Sequence, residues 1–251
     1  MIRMRWFLVL FLVLFLLGPP DSPAQTNELV VGKLGVGGSG SFSFPMLGMK
    51  DRYNAKEAFG LYLTYAKSSR QTIEVEYRRT VYDPGKVEDA TFFWPEDKPL
   101  SWQRIKSPLA RNFLTINAYT VNGLYHFVDR VSVDPEGLRQ KVLGGPYITY
   151  GAGFYHYTNQ TSGLIFAGQP DLGNGLDNTL FLDPLKETDV GWGFNGGLGV
   201  EVLMNDRAAI DFRARWHLII GELRQMESYG VARTWPLGFF DIGLSMKYYI
   251  M

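Results

Sequence analysis

From Gln25 onward the chain alternates apolar and polar residues with period two. Over Thr72–Tyr82, Ile73, Val75, Tyr77 and Val81 fall on one face; Glu74, Glu76, Arg78 and Thr80 fall on the other, and Arg79 is the one discord. Over Arg207–Leu218, Ile210, Phe212, Ala214, Trp216 and Leu218 oppose Asp211, Arg213, Arg215 and His217. Over Phe240–Ile250, every second residue from Phe240 through Leu244 and Met246 to Ile250 is apolar. Between them lie Asp241, Gly243, Ser245, Lys247 and Tyr249. Alternation of this kind marks strands whose two faces meet unlike surroundings. Phe59–Tyr65 and Gly191–Met204 follow the same rule. Leu29–Phe44, Asn112–Phe127 and Tyr147–Tyr157 follow it less cleanly, with a change of parity near Ala118–Tyr119 that predicts a bulge. The pattern predicts eight strands in one domain, 25–251, with no internal repeat.

The connections alternate in length. Ser68–Gln71 and Asn205–Asp206 read as tight turns, and 83–110, 158–189 and 219–237 are long; 45–56 is medium and 128–145 is intermediate. Short turns at one end and long loops at the other are expected of a transmembrane antiparallel up-and-down β-barrel. In a bilayer the apolar face must meet lipid, and the sheet must close so that no backbone edge is left unpaired. The opposite face then lines the interior. It carries Lys33, Glu74, Glu76, Arg78, Glu201, Asp211, Arg213, Arg215, Asp241 and Lys247, five cations and five anions, which predicts a neutral ion-pair network. Trp192 and Trp216 at the outer ends, and Tyr125, Phe127, Tyr248 and Tyr249 at the inner ends, are candidates for interfacial girdles.

The first 24 residues read as an address. Arg3 and Arg5 precede the apolar run Trp6–Leu17, and Ser22-Pro23-Ala24 offers small residues for cleavage, the order of a secretory signal peptide. The run spans roughly 18 Å as a helix, short of the ~30 Å hydrocarbon core.

Composition narrows the chemistry. The chain has 25 basic and 25 acidic side chains, and so lacks the basic excess of a nucleic-acid binder. With no cysteine there are no disulfides, thiol nucleophiles or cysteine–zinc sites. His126, His156 and His217 are predicted to lie apart, so no metal cluster is expected, and no Ser–His pair suggests a hydrolase. The Gly35–Gly40 run lacks the Gly-Lys-Ser/Thr of a phosphate loop and reads as a glycine-rich strand. Asp171, Asn174, Asp177 and Asn178 could ligate calcium, but the same residues are ordinary turn formers. Phe92, Phe93, Trp94 and Trp102 form either an exposed contact patch, an upward extension of the barrel or an extra hairpin making ten strands.

Asp241-Ile-Gly-Leu-Ser-Met-Lys-Tyr248 resembles the C-terminal strand signal of bacterial outer-membrane proteins, although Tyr249-Ile250-Met251 follows it. Val121–Phe127, Pro146–Tyr155 and Gly191–Glu201 resemble strands four, five and six of the small eight-stranded barrels of the OmpA, OmpX, OmpW and opacity-type proteins. The resemblance implies a protein of the bacterial outer membrane with outer-membrane lipid and lipopolysaccharide as partners. It also implies a C-terminal strand read by the barrel-assembly machinery. It does not fix an activity; no cofactor and no catalytic residue are expected, nor a peptidoglycan-binding domain of the OmpA kind after the last strand. The leading expectation is a non-enzymatic structural or surface-interaction role through the outer loops. Others are a narrow channel or transporter for small, including hydrophobic, molecules, a soluble barrel with an apolar ligand, and a lipid-modifying enzyme.

Overall fold

The computed structural model describes residues 30–92, 105–130, 132–133, 140–141, 144–166, 177–204, 207–229 and 231–250. The signal-peptide segment therefore lies outside the described residues. Eight strands form one closed barrel: β1 (Leu34–Met46), β2 (Lys56–Ala66), β3 (Gln71–Tyr82), β4 (Arg111–His126), β5 (Gly144–Ser162), β6 (Leu185–Leu203), β7 (Ala208–Ile220) and β8 (Leu237–Ile250). Each strand pairs antiparallel with its sequence neighbours, and β8 closes on β1 from Leu34↔Ile250 to Met46↔Gly238. This is an eight-stranded transmembrane-type up-and-down barrel.

The register fixes its shape. A line of directly paired residues leaves β7 at Ile210 and passes Met246, Gly38, Leu61, Tyr77, Tyr119, Phe154 and Trp192. It returns to β7 at Ile220, ten residues further along. With ~3.3 Å per residue and ~4.8 Å between strands, that shear tilts the strands by about 40° from the barrel axis. Allowing for the tilt, Phe42, Phe59, Phe154, Phe194, Trp216 and Phe240 ring the outside at about one height. Tyr65, Tyr125 and Tyr248 lie roughly 17 Å below them along the barrel axis.

The faces are inverted relative to a water-soluble protein. Leu244, Phe212, Leu61 and Leu198 are at least half exposed on the outside, while Glu74, Asp211, Glu201 and Lys247 are fully buried within. A soluble barrel holding an apolar ligand requires the opposite arrangement. Above the outer aromatic ring the inversion ends. Tyr82, Leu114, Ile116, Tyr155, Tyr157, Ile219 and Phe239 fill the interior, and Thr115, Thr158, Gln160 and Lys186 face outward. The barrel is inside-out along its lipid-facing length and an ordinary protein above it.

That change of environment explains the parity change read from β4. No bulge is present: β4 keeps an unbroken register with β3 and β5, and its even-numbered residues face inward throughout. The face that is polar at Thr120 and Asn122 is apolar at Leu114 and Ile116 because it has risen out of the membrane zone. The 158–189 loop is likewise shorter than expected, since Thr158–Ser162 and Leu185–Asp189 continue β5 and β6 outward as a paired hairpin. Thr91–Phe92 pairs with Ile105–Lys106 in a small ribbon of its own, so the barrel has eight strands and not ten.

Inward-facing glycines provide lumen volume. Gly35–Gly40 lies in β1 as a strand, and a Cβ on Gly37 would stand 2.4 Å from the Tyr62 ring. One on Gly199 would stand 2.3 Å from the Tyr147 ring. Tyr147 cannot simply swing away, because its hydroxyl donates to Asp211 at 2.6 Å. Gly199→Ala is therefore expected to cost about 1–3 kcal/mol by overpacking, read as a lower urea midpoint of the refolded protein. An unchanged midpoint would show that Tyr147 has room to yield.

Candidate functional site in the lumen and outer head

The lumen network follows from two strands with matched spacing. Glu74 and Glu76 on β3 and Arg213 and Arg215 on β7 each sit two residues apart, and so face the same side. In a ring of eight strands, β3 and β7 are diametrically opposite. Their side chains meet across the full diameter as two parallel rungs. Arg213 donates from Nη1 and Nη2 to the two Glu74 oxygens at 2.7 and 3.1 Å, and Arg215 does the same to Glu76. Asn122 on β4 donates to Glu76 at 3.1 Å and accepts from Asn195 on β6 at 2.9 Å.

Toward the inner end, Lys247 binds Glu201 at 2.6 Å and Asp211 at 3.2 Å, and Arg213 also reaches Asp211. Toward the outer end, Arg78 approaches Asp241 at 2.6 Å, an ion-pair distance without hydrogen-bond alignment. His217 lies 3.2 Å from Asp241 through Nε2, and its Nδ1 is 3.0 Å from the Tyr155 hydroxyl. Nine of the ten predicted lumen charges are thus buried. The tenth, Lys33, precedes β1 and is only half-buried.

The cation that completes the set is Arg130, which lies in the inner connection after β4. Its fully buried guanidinium enters the barrel floor, bonding Glu201 at 3.3 Å, Thr72 at 2.9 Å and the carbonyls of Ser68 and Ser69. The strands alone supply Arg78, Arg213, Arg215 and Lys247 against five carboxylates. The deficit of one positive charge emerges only because the structure leaves Lys33 outside the lumen, and Arg130 fills it. Arg130 also explains why 128–145 departs from the short-turn rule: part of it is a plug. On the rim below, Arg70 grips Asp129 through both carboxylate oxygens and holds that carboxyl below the usual range. Tyr249, expected in the inner girdle, faces inward and packs with Val30, Ala66, Leu203 and Ala209 as the floor.

The outer end is closed by two further layers. Met49 and Tyr53 from the first outer connection drop onto Tyr82, Leu114, Ile116, Tyr155, Ile219 and Phe239, and the Tyr53 hydroxyl donates to Asn159 at 2.8 Å. Above this, Val87, Phe92, Ala110, Leu164 and Met226 pack into a second core shared by the three long connections. Phe92 is therefore an interior residue of a folded head and not part of an exposed patch. Phe93, Trp94 and Trp102 lie outside the described residues.

The remaining predicted positions fall apart spatially. His126 is buried at the inner end beside Tyr147, His217 is buried near the outer end, and His156 is on the outer face. No cluster of three metal-ligating side chains occurs among the described residues. Asp177 caps a local turn, accepting from the backbone and hydroxyl of Thr179 at 2.9 and 2.7 Å, which is the turn-forming alternative. Asp171 and Asn174 lie outside the described residues.

No family model and no curated protein matches the chain. Solved structures do match. A major outer membrane protein from Thermus thermophilus superposes with a TM-score of 0.50 at 8% identity, covering 86% of this chain and 99% of that one. Ail, the attachment invasion locus protein of Yersinia pestis, gives 0.46 at 9% identity over 88% and 100% of the two chains. The outer membrane protein OprG from Pseudomonas aeruginosa gives 0.41 at 14% identity over 89% and 99%. The likeness at a TM-score of 0.50 is one of fold alone: a closed antiparallel barrel shared with an outer membrane protein.

Proposed function

We propose that the protein resides in a bacterial outer membrane, exported by its cleaved N-terminal signal, and acts there without catalysis, through the folded head at its outer end. The observation that carries this reading is the closure of the barrel at successive heights. The Arg130 floor, the two Arg–Glu rungs, the apolar plug around Tyr53 and Phe239, and the head core each cross the lumen. A neutral, fully paired interior offers a solute neither a wide aqueous path nor a field to drive it. Its partners in this reading are membrane lipid and lipopolysaccharide. Arg79 is exposed on the outer face close to the height of Phe154 and Trp216, where a headgroup phosphate would lie. The β8 strand is the segment that the assembly machinery would read.

Two measurements test the reading. In planar bilayers the refolded protein is expected to give no steady conductance; reproducible single-channel steps would replace it with the transporter. On intact cells a membrane-impermeant amine reagent is expected to label Lys50 and Lys186 at the outer end and to spare Lys33 and Lys67 at the inner end. The reverse pattern would invert the topology.

A further inference from the structure

The head contains a cavity of about 280 Å³ between the first, second and last outer connections and the tops of β4 and β5. That volume sits at the lower end of small-molecule sites, ~300 Å³ and upward. Its lining separates into three chemistries. The floor is amide and hydroxyl: Asn112, Asn159 and Thr161, all at least 96% buried. The wall holds Arg52, Lys86 and Arg233, with Asp51 the one carboxylate among them. Val87, Met226 and Val231 supply an apolar side.

Two features bear on what this cavity can hold. The first is the floor. Asn159 is 99% buried and lines the cavity, with its Oδ1 accepting from the Tyr53 hydroxyl. A buried amide that lines a cavity suits a hydrogen-bonding ligand or water there. The second is the charge. Arg233 is paired with Glu222 at 3.2 Å, but Arg52 is held only by the carbonyls of Gln225 and Ala232, and Lys86 only by the carbonyl of Lys50 at 2.7 Å. Neither has a carboxylate partner among the described residues. Burial lowers the Arg52 pKa against the opposing influence of Tyr53 and of the Glu187 carboxylate nearby.

We propose that this cavity binds a sugar-sized polyol carrying one anionic group, a sugar acid or sugar phosphate. Arg52 and Lys86 take the anion, the Asn112, Asn159 and Thr161 floor takes the hydroxyls, and Val87 and Met226 cover the C–H face of the ring. Such a group arrives either as a free solute or as the terminal residue of a surface glycan. The proposal rests on the reading that the head faces the exterior; the lysine-labelling experiment reports that separately, so the two can fail independently.

The test is isothermal titration of the refolded full chain in detergent with glucuronate, glucose 6-phosphate, glucose and inorganic phosphate. A further arm uses an oligosaccharide ending in glucuronate. Glucuronate or glucose 6-phosphate is expected to bind at least tenfold more tightly than either glucose or phosphate. Equal or tighter binding of the oligosaccharide identifies a glycan terminus, and its exclusion identifies a free solute; both support the site. Arg52→Gln and Lys86→Gln are each expected to weaken binding at least tenfold, with Arg224→Gln, outside the cavity, as the control of equal charge. Lys86→Gln covers the case in which Arg52→Gln disturbs the head, since Lys86 makes a single exposed bond. No heat with either sugar anion at millimolar concentration would overturn the proposal. So would phosphate binding as well as the sugars, or affinities indifferent to both substitutions.

Discussion

Replacing Arg213 by methionine is expected to cost about 3–5 kcal/mol, the largest loss of any single substitution in the lumen. Arg213 holds Glu74 by two hydrogen bonds and Asp211 by two more, all at buried positions. Asp211 keeps Lys247 and Tyr147 when the guanidinium goes. Glu74 keeps only a long contact to the Asn122 amide at 3.4 Å, and so becomes a desolvated charge with no counterion. The penalty is that of the stranded carboxylate and not the worth of the pair. The double variant Glu74→Leu with Arg213→Met should therefore recover most of the loss. Arg213→Lys should recover little, because a single ammonium cannot bridge two carboxylates as a planar fork does. Equilibrium urea unfolding in lipid vesicles, followed by heat-modifiable gel mobility, checks all three. Arg70→Met at the exposed inner rim should leave the midpoint unmoved, since its pair with Asp129 is about half exposed on both sides. A double variant as unstable as the single one would mean that the rung is needed for folding itself and not merely balanced.

Much of this network was legible in the sequence because it obeys one rule, period two over a closed sheet. Glu74, Glu76, Asp211, Arg213, Arg215, Asp241 and Lys247 all sit at positions fixed by alternation with apolar neighbours, and all are buried. What alternation could not convey is height. The same inward face of β4 is polar at Asn122 and apolar at Leu114, because the medium outside changes from lipid to water between them. Read along the sequence, that looks like a slipped register. Arg130 was invisible for a related reason: it reaches the lumen from a connection, where no periodicity assigns a face. The head and its cavity were beyond reach too. Gly48, Arg52, Lys86, Asn159 and Arg233 meet only through the folding of separate connections and strand tips. An aromatic such as Phe92, which stands out in the sequence, reports the packing of that head and not its opening.

Leu244→Arg carries the second large effect, and its sign decides what the outer face touches. Leu244 is 59% exposed in the middle of the apolar belt on β8, flanked by Phe212 on β7 and Gly40 on β1. Leu109, in the head, is 64% exposed. To water the two positions are equivalent, and arginine at either would be neutral within about 0.5 kcal/mol. In a bilayer they are not. A guanidinium near the midplane of a transmembrane barrel costs about 2–4 kcal/mol, and one above the interface costs nothing comparable. Leu244→Arg is therefore expected to lower the unfolding free energy in vesicles by that amount, while Leu109→Arg leaves it unchanged. Moving the charge along the same face toward Tyr248 should shrink the loss as the side chain comes within reach of the headgroups. Equal tolerance at Leu244 and Leu109 would put water against the belt, and the ionic interior would then need another explanation. A depth-dependent penalty would measure where the membrane ends on this barrel, and would do so without reference to any relative.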